Sequence, residues 1–130
     1  MKAAQGVRLL LVDDEPHILQ FLELGLINEG FEVQTAQDGL SAIAMSADFK
    51  PHVVILDVMM PGMDGPTTLG HLRRQATLAT VPVAFMTAKV QPQEVAHYLS
   101  LGACEVIPKP FNPMTLAQQV RDAWQKAASA

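Results

Sequence analysis

The chain has 130 residues, 49% of them apolar, enough for one domain with its own core. Net charge is −4, from 13 acids against 9 bases, and no Lys/Arg cluster is present to neutralise phosphates, which argues against direct nucleic-acid binding. No apolar run reaches the roughly 20 residues of a membrane span, the start MKAAQG is too polar and short for a secretory signal, and one cysteine, Cys104, permits no internal disulfide. A reduced, cytoplasmic setting fits these features, with Cys104 read as a small core or surface residue.

The first element is the apolar run VRLLLV (7–12), expected as a strand covered on both faces. A helix follows, with Pro16 in its first turn, Ile18, Leu22 and Leu26 at helical spacing, and Gly30 at its end. FEVQTA (31–36) alternates apolar and polar, as a half-exposed edge strand does. The next helix, 38–47, takes Asp38 as its cap and is expected to bury Leu40, Ile43, Ala44 and Ala47. HVVILD, opened by His52, reads as a second buried strand, and a helix is expected from Asp64–Pro66 to about Gln75. VPVAFMTA (81–88) is a third buried strand, 92–102 a helix from Pro92 to Gly102, CEVIP a short strand, and the last helix is capped by Asn112 with Pro113 at its first position. Five βα units imply a parallel sheet with helices on both faces: a doubly wound α/β fold in a single domain over 1–130, with a core of about 7–126.

Open parallel sheets bind ligands at the carboxyl ends of their strands. Those ends carry Asp13 and Asp14, Asp57, Thr87 and Lys109. Clustered carboxylates repel one another and recruit a cation, and Mg²⁺ prefers oxygen ligands. Asp13, Asp14 and Asp57 therefore read as a Mg²⁺ site, Lys109 as a cation for a phosphoryl oxygen and Thr87 as a hydroxyl donor. A carboxylate nucleophile among these groups is equipped to form an aspartyl phosphate.

The segments VDDEP, LDVMMPGMDG, MTA and KPF, in this order and spacing, resemble the receiver domains of two-component response regulators. The resemblance implies the flavodoxin-like order 2-1-3-4-5 with five helices. It implies that Asp57 accepts a phosphoryl group from a histidine kinase or phosphotransfer protein. Mg²⁺ would be held by Asp13, Asp14, Asp57 and the backbone carbonyl of Met59, with Thr87 as switch hydroxyl and Lys109 as phosphate contact. It further implies a cis Lys109–Pro110 peptide, and an output face built from Val95, Val106, Arg121 and neighbours for a downstream protein or output domain. Pro61, Gly62 and Gly65 shape the turn after Asp57, while Met59 and Met60 serve as packing and lining residues. Val106 stands where the family usually carries a switch aromatic, so activation is expected as backbone movement in the loop from Thr87 to Gln91. Met59 and Lys89 stand at the positions that flank the family's path for attacking water.

Two other readings stand beside this signalling module. A phosphatase with an aspartyl-phosphate intermediate would want an acid two residues after the nucleophile, where this chain has Met59. A phosphate-independent, receiver-like interaction domain would leave the acidic pocket vestigial. The histidines, His17, His52, His71 and His97, share no metal-ligand spacing, and Tyr98 and Trp124 read as core or interface residues.

Overall fold

The computed structural model describes residues 6–109 and 113–129. The order along the chain is β1 (Arg8–Val12), α1 (Pro16–Asn28), β2 (Glu32–Ala36), α2 (Gly39–Phe49), β3 (Val53–Asp57), α3 (Gly65–Arg73), a 3₁₀ turn (Ala76–Leu78), β4 (Val83–Thr87), α4 (Pro92–Ser100), β5 (Glu105–Pro108) and α5 (Pro113–Ser129). The strands form one parallel sheet in the order β2-β1-β3-β4-β5, the flavodoxin-like arrangement expected. The expected Asn112 cap and the Lys109–Pro110 peptide involve residues outside those described. Among the described residues, no helix is long and apolar enough to cross a membrane.

Successive strand side chains alternate between faces, and the two cores divide accordingly. Leu9, Leu11, Val53, Ile55, Ala84, Met86 and Ile107 join Leu19, Leu22 and Leu26 of α1 and Leu116, Ala117 and Val120 of α5. On the other face, Leu10, Val12, Val54, Leu56, Val83 and Phe85 meet Ala42 of α2, Leu69 and Leu72 of α3 and Tyr98 of α4. The central strands are apolar in unbroken runs because both their sides are covered, whereas β2 alternates because it is an edge strand.

Strand and helix boundaries move by one or two residues from those expected; His52, for instance, lies just before β3. The larger correction concerns α2. Leu40 is 69% exposed, Ala44 and Ala47 are exposed, and the buried positions are Gly39, Ala42 and Ser46. Close approach to α3 selects small residues there. A Cβ on Gly39 would collide with the Thr68 hydroxyl, and Gln75 Nε2 reaches across to donate to Ser46 Oγ and the Ile43 carbonyl at 3.1 and 3.2 Å. Ranking side chains by hydrophobicity points to the wrong stripe when a helix buries its small side chains.

α4 is fastened differently from its neighbours. Tyr98 is its one buried residue, set edge-on to Phe85 with ring centroids 5.6 Å apart. The segment from Ala88 to Gln93 is exposed throughout.

Candidate functional site

The carboxyl ends of β1, β3, β4 and β5 bring Asp13, Asp14, Asp57, Thr87 and Lys109 to one rim. Asp13 follows β1, anchored by its amide donating to the Ala36 carbonyl at 3.1 Å. Its Oδ1 accepts from the Glu15 amide at 2.9 Å, a local turn that hands the chain to α1, where Pro16 needs no donor. Asp57 ends β3. Lys109 is placed by its amide, which donates to the Thr87 carbonyl at 2.9 Å.

The turn after Asp57 answers to close packing. The Gly65 amide donates to the Val58 carbonyl at 2.9 Å, drawing the start of α3 against the tip of β3. A Cβ at Gly65 would lie 2.6 Å from the Asp57 carbonyl oxygen, so only glycine fits without moving backbone. Asp64 then caps α3, its Oδ1 accepting from the Thr67 amide at 2.8 Å. Met60 is buried in this turn and Met59 is exposed at the cleft mouth.

Asp13 and Asp57 are buried, with 0% and 3% exposure. Lys109 Nζ lies 3.1 Å from Asp13 Oδ2 and 3.2 Å from Asp57 Oδ1. Burial pushes the Asp57 carboxyl up to about 6, with the Asp13 charge adding to the effect; Lys109 and the Met59 amide oppose it. For Lys109 burial acts to lower the ammonium, and the contacts with Asp13 and Asp57 outweigh it and hold it above the usual range. One ammonium thus serves two buried carboxylates, with Asp14 half-buried alongside.

This arrangement fits a hard cation. Asp13, Asp14 and Asp57 each present an oxygen, all within 4.8 Å of one another. Asp13 Oδ2 is buried without a hydrogen bond, its ion pair to Lys109 being poorly aligned for one. A buried anionic oxygen with a free lone pair is what a divalent ion requires.

The cleft over these groups has a volume of about 240 Å³ and is lined by Asp14, Glu15, Asp57, Met59, Thr87, Ala88 and Lys109. An open groove of about 540 Å³ at the opposite end of the sheet, which includes Arg8, Glu32, Asp48 and Lys50, is larger but converges no like-charged set. Glu15 also lines the cleft, and in the sequence the one signal for it is its place directly after the acidic pair. Thr87 is buried, and its Oγ1 accepts from the Lys89 amide at 3.0 Å. By alternation Asp57 continues the sheet face of Val53 and Ile55, whereas Thr87 continues that of Val83 and Phe85.

Of the expected output face, Val95 and Val106 are half-buried, Val106 against the core that holds Phe85 and Tyr98. Arg121 does not join them. Its Nη1 donates to Glu29 Oε1 at 3.2 Å, because α5 packs beside α1 and Glu29 follows the last turn of α1. His52 is a hydrogen-bond acceptor for the Arg8 amide.

Known proteins resemble this chain in sequence and fold. The family model described as "Response regulator receiver domain" matches residues 9–121. Response regulator PleD of Caulobacter vibrioides is 40% identical over 116 residues, 89% of this chain and 26% of that protein. The DNA-binding dual master transcriptional regulator RpaA of Synechocystis is 34% identical over 114 residues, 88% of this chain and 47% of that protein. This chain therefore spans about half or less of the length of these relatives. Among solved structures, chemotaxis response regulator CheY4 of Vibrio cholerae superposes with a TM-score of 0.86 at 32% identity, covering 92% of this chain and 99% of its own. With the sheet order, the acidic rim and the matched span in agreement, this chain belongs to the response regulator receiver family of two-component systems.

Proposed function

We propose that this domain is a phosphoacceptor switch whose nucleophile is Asp57. The observation that carries the reading is the buried Asp57 carboxylate, held at a strand tip 3.2 Å from Lys109 Nζ and open to the cleft. At neutral pH this carboxylate is mostly ionised, since its value lies near 6. One Asp57 oxygen attacks the phosphorus of a phosphohistidine on a histidine kinase or phosphotransfer protein. The new P–O bond forms as the P–N bond breaks, and the donor imidazole leaves with the electron pair. Lys109 balances charge on the phosphoryl oxygens, and the Thr87 hydroxyl, once released from the Lys89 amide, donates to one of them. Asp13, Asp14, Asp57 and the Met59 carbonyl would hold Mg²⁺, which when bound neutralises charge between carboxylates and phosphoryl group.

The intact Lys109 bridge between Asp13 and Asp57 speaks against a vestigial pocket. α1 starts at the pocket rim and, along its length away from it, exposes Phe21, Leu24 and Ile27 at 62%, 70% and 50%, an apolar stripe that a donor protein docked over the rim could use. On the output side, Val95 and Val106 remain the proposed contacts, without Arg121. Turnover of substrate is not part of the reading; phosphorylation and its loss occur at a single carboxylate.

The test is intact-mass measurement after incubation with Mg²⁺ and acetyl phosphate or phosphoramidate. One phosphoryl adduct is expected on the native protein and none on Asp57→Asn. An adduct that persists in Asp57→Asn, or no adduct from any small donor or kinase, overturns the assignment.

A further inference from the structure

The acidic pair at one end of the sheet has a counterpart at the other. Strands β1 and β3 run side by side with Leu9 opposite Val53 and Val12 opposite Leu56. One step before this ladder, Arg8 meets His52 with a sequence offset of 44. One step beyond it, Asp13 meets Asp57 with the same offset. The two strands that bring the carboxylates together are thus joined at their far ends by Arg8 and His52, about 17 Å away.

The join is reciprocal. The His52 amide donates to the Arg8 carbonyl at 2.8 Å, and the Arg8 amide donates back to His52 Nδ1 at 2.9 Å. A side-chain nitrogen stands where a ladder would offer a carbonyl. The Arg8 guanidinium reinforces the corner: Nε donates to the carbonyls of Phe49 and Lys50, both at 3.0 Å. These carbonyls close α2, and Lys50 takes a left-handed φ of 53°. A cation there also suits the negative end of the helix.

We propose that Arg8 and His52 form a pH-sensitive pin that holds the β1–β3 register, and through it the juxtaposition of Asp13 and Asp57. His52 is a positioning residue and touches no reacting atom. Its Nδ1 accepts only while unprotonated, so the ring is the neutral tautomer carrying its proton on Nε2. A second proton turns Nδ1 into a donor facing the Arg8 N–H, and the bond is lost. The charged groups that act on the ring are Arg8 from β1 and Glu32 from β2; Asp48 of α2 and Lys50 at its end line the adjoining groove with them. Burial and then Arg8 disfavour the imidazolium, and Glu32 acts against them. Neutral His52 therefore prevails at neutral pH, and acid releases the pin. A slipped register would send strand side chains to the opposite face, which is why a bond at this end bears on the carboxylates at the other.

The consequence for metal binding rests on the phosphoacceptor reading, so the experiment reads the pin and the pocket separately. Hydrogen exchange at the Arg8 amide, corrected for intrinsic rates, is followed from pH 8 to pH 5 alongside the His52 ring resonances. Mg²⁺ affinity is measured at pH 7.5. Native protein should lose Arg8 protection about tenfold as His52 protonates, the worth of one part-buried hydrogen bond. His52→Asn, whose amide oxygen accepts at all pH, should keep protection flat and Mg²⁺ affinity native. His52→Leu should lack protection at every pH and bind Mg²⁺ several-fold more weakly. Flat Arg8 protection across the His52 titration, or native acid loss retained in His52→Asn, overturns the pin. Lost protection with unchanged Mg²⁺ affinity in His52→Leu overturns its positioning role. Absence of Mg²⁺ binding in the native protein overturns the pocket reading instead, with the exchange data still deciding the pin. If His52→Leu does not fold, the native and His52→Asn exchange profiles decide the pin, and Mg²⁺ affinity of the same two proteins at pH 5.5 decides the positioning role: weaker binding by the native protein than by His52→Asn is expected, and equal binding overturns it.

Discussion

The two ends of the sheet are built on opposite principles. At the amino end, Arg8 has its amide and its guanidinium Nε satisfied by His52, Phe49 and Lys50. At the carboxyl end, two buried carboxylates share one lysine and an Asp13 oxygen has no hydrogen bond. The first end gains stability from its polar groups; the second gives some up to keep two buried carboxylates beside one cation. Polar residues thus stabilise a fold only where their partners are complete.

Removing the shared cation should have the largest effect. Lys109→Met leaves Asp13 and Asp57 uncompensated and should cost about 2–4 kcal/mol at pH 7.5 without Mg²⁺. The loss should shrink on acidification as Asp57 takes up a proton. Denaturant midpoints at several pH values check both; a loss independent of pH would locate the damage in packing instead of charge.

Asp57→Asn should act in the opposite direction. The Asp57 carboxyl titrates near 6 in the fold against an ordinary 3.8, so the folded state binds the extra proton between those values. Stability from this group is therefore highest below 3.8, falls as pH rises toward about 6, and is level above it. The penalty is roughly 2 kcal/mol after allowance for solvent at the cleft mouth. The Asn variant should be more stable by that order at pH 7.5 and equal to the native protein near pH 3.5. Destabilisation at pH 7.5 would contradict the view that this end stores cost.

Gly65→Ala sharpens the comparison by separating shape from charge. Its Cβ would press on the Asp57 backbone, so a loss of about 1–3 kcal/mol is expected with little pH dependence. At the amino end, Arg8→Met removes the two side-chain bonds to α2 and should lower stability by about 1 kcal/mol. Unlike Asp57→Asn, it should not stabilise the protein at any pH. Thermal melts of the two variants side by side test that asymmetry.

Most of the fold is legible in the sequence, because VRLLLV, VVIL and VAFM are continuous apolar runs between helix-like segments, a pattern that only a sheet covered on both faces explains. The carboxylates at the strand tips are legible for the complementary reason: charge directly after such runs demands a partner. The buried face of α2 is not, since Gly39, Ala42 and Ser46 are chosen for closeness of approach, which hydrophobic ranking does not register. Nor is the turn of Arg121 toward Glu29, a pairing across 92 positions. His52 carries no motif, and its role arises only when β1 and β3 lie side by side.

Thr87 and Asp57 end neighbouring strands yet continue opposite faces of the sheet. The sheet is a wall, stiff along its strands, with a carboxylate at the rim on one side and a hydroxyl at the rim on the other. A charge added at Asp57 on the α1–α5 side can attract Thr87 only over the top of that wall. Any such pull withdraws the hydroxyl from the Lys89 amide and frees the first residue pair of the exposed 88–93 segment. That segment leads into α4, which is moored to the wall chiefly by Tyr98. Under the proposed phosphoacceptor reading the molecule would work as a pulley: load applied on one side of the wall is delivered on the other, and the rim is where the rope turns.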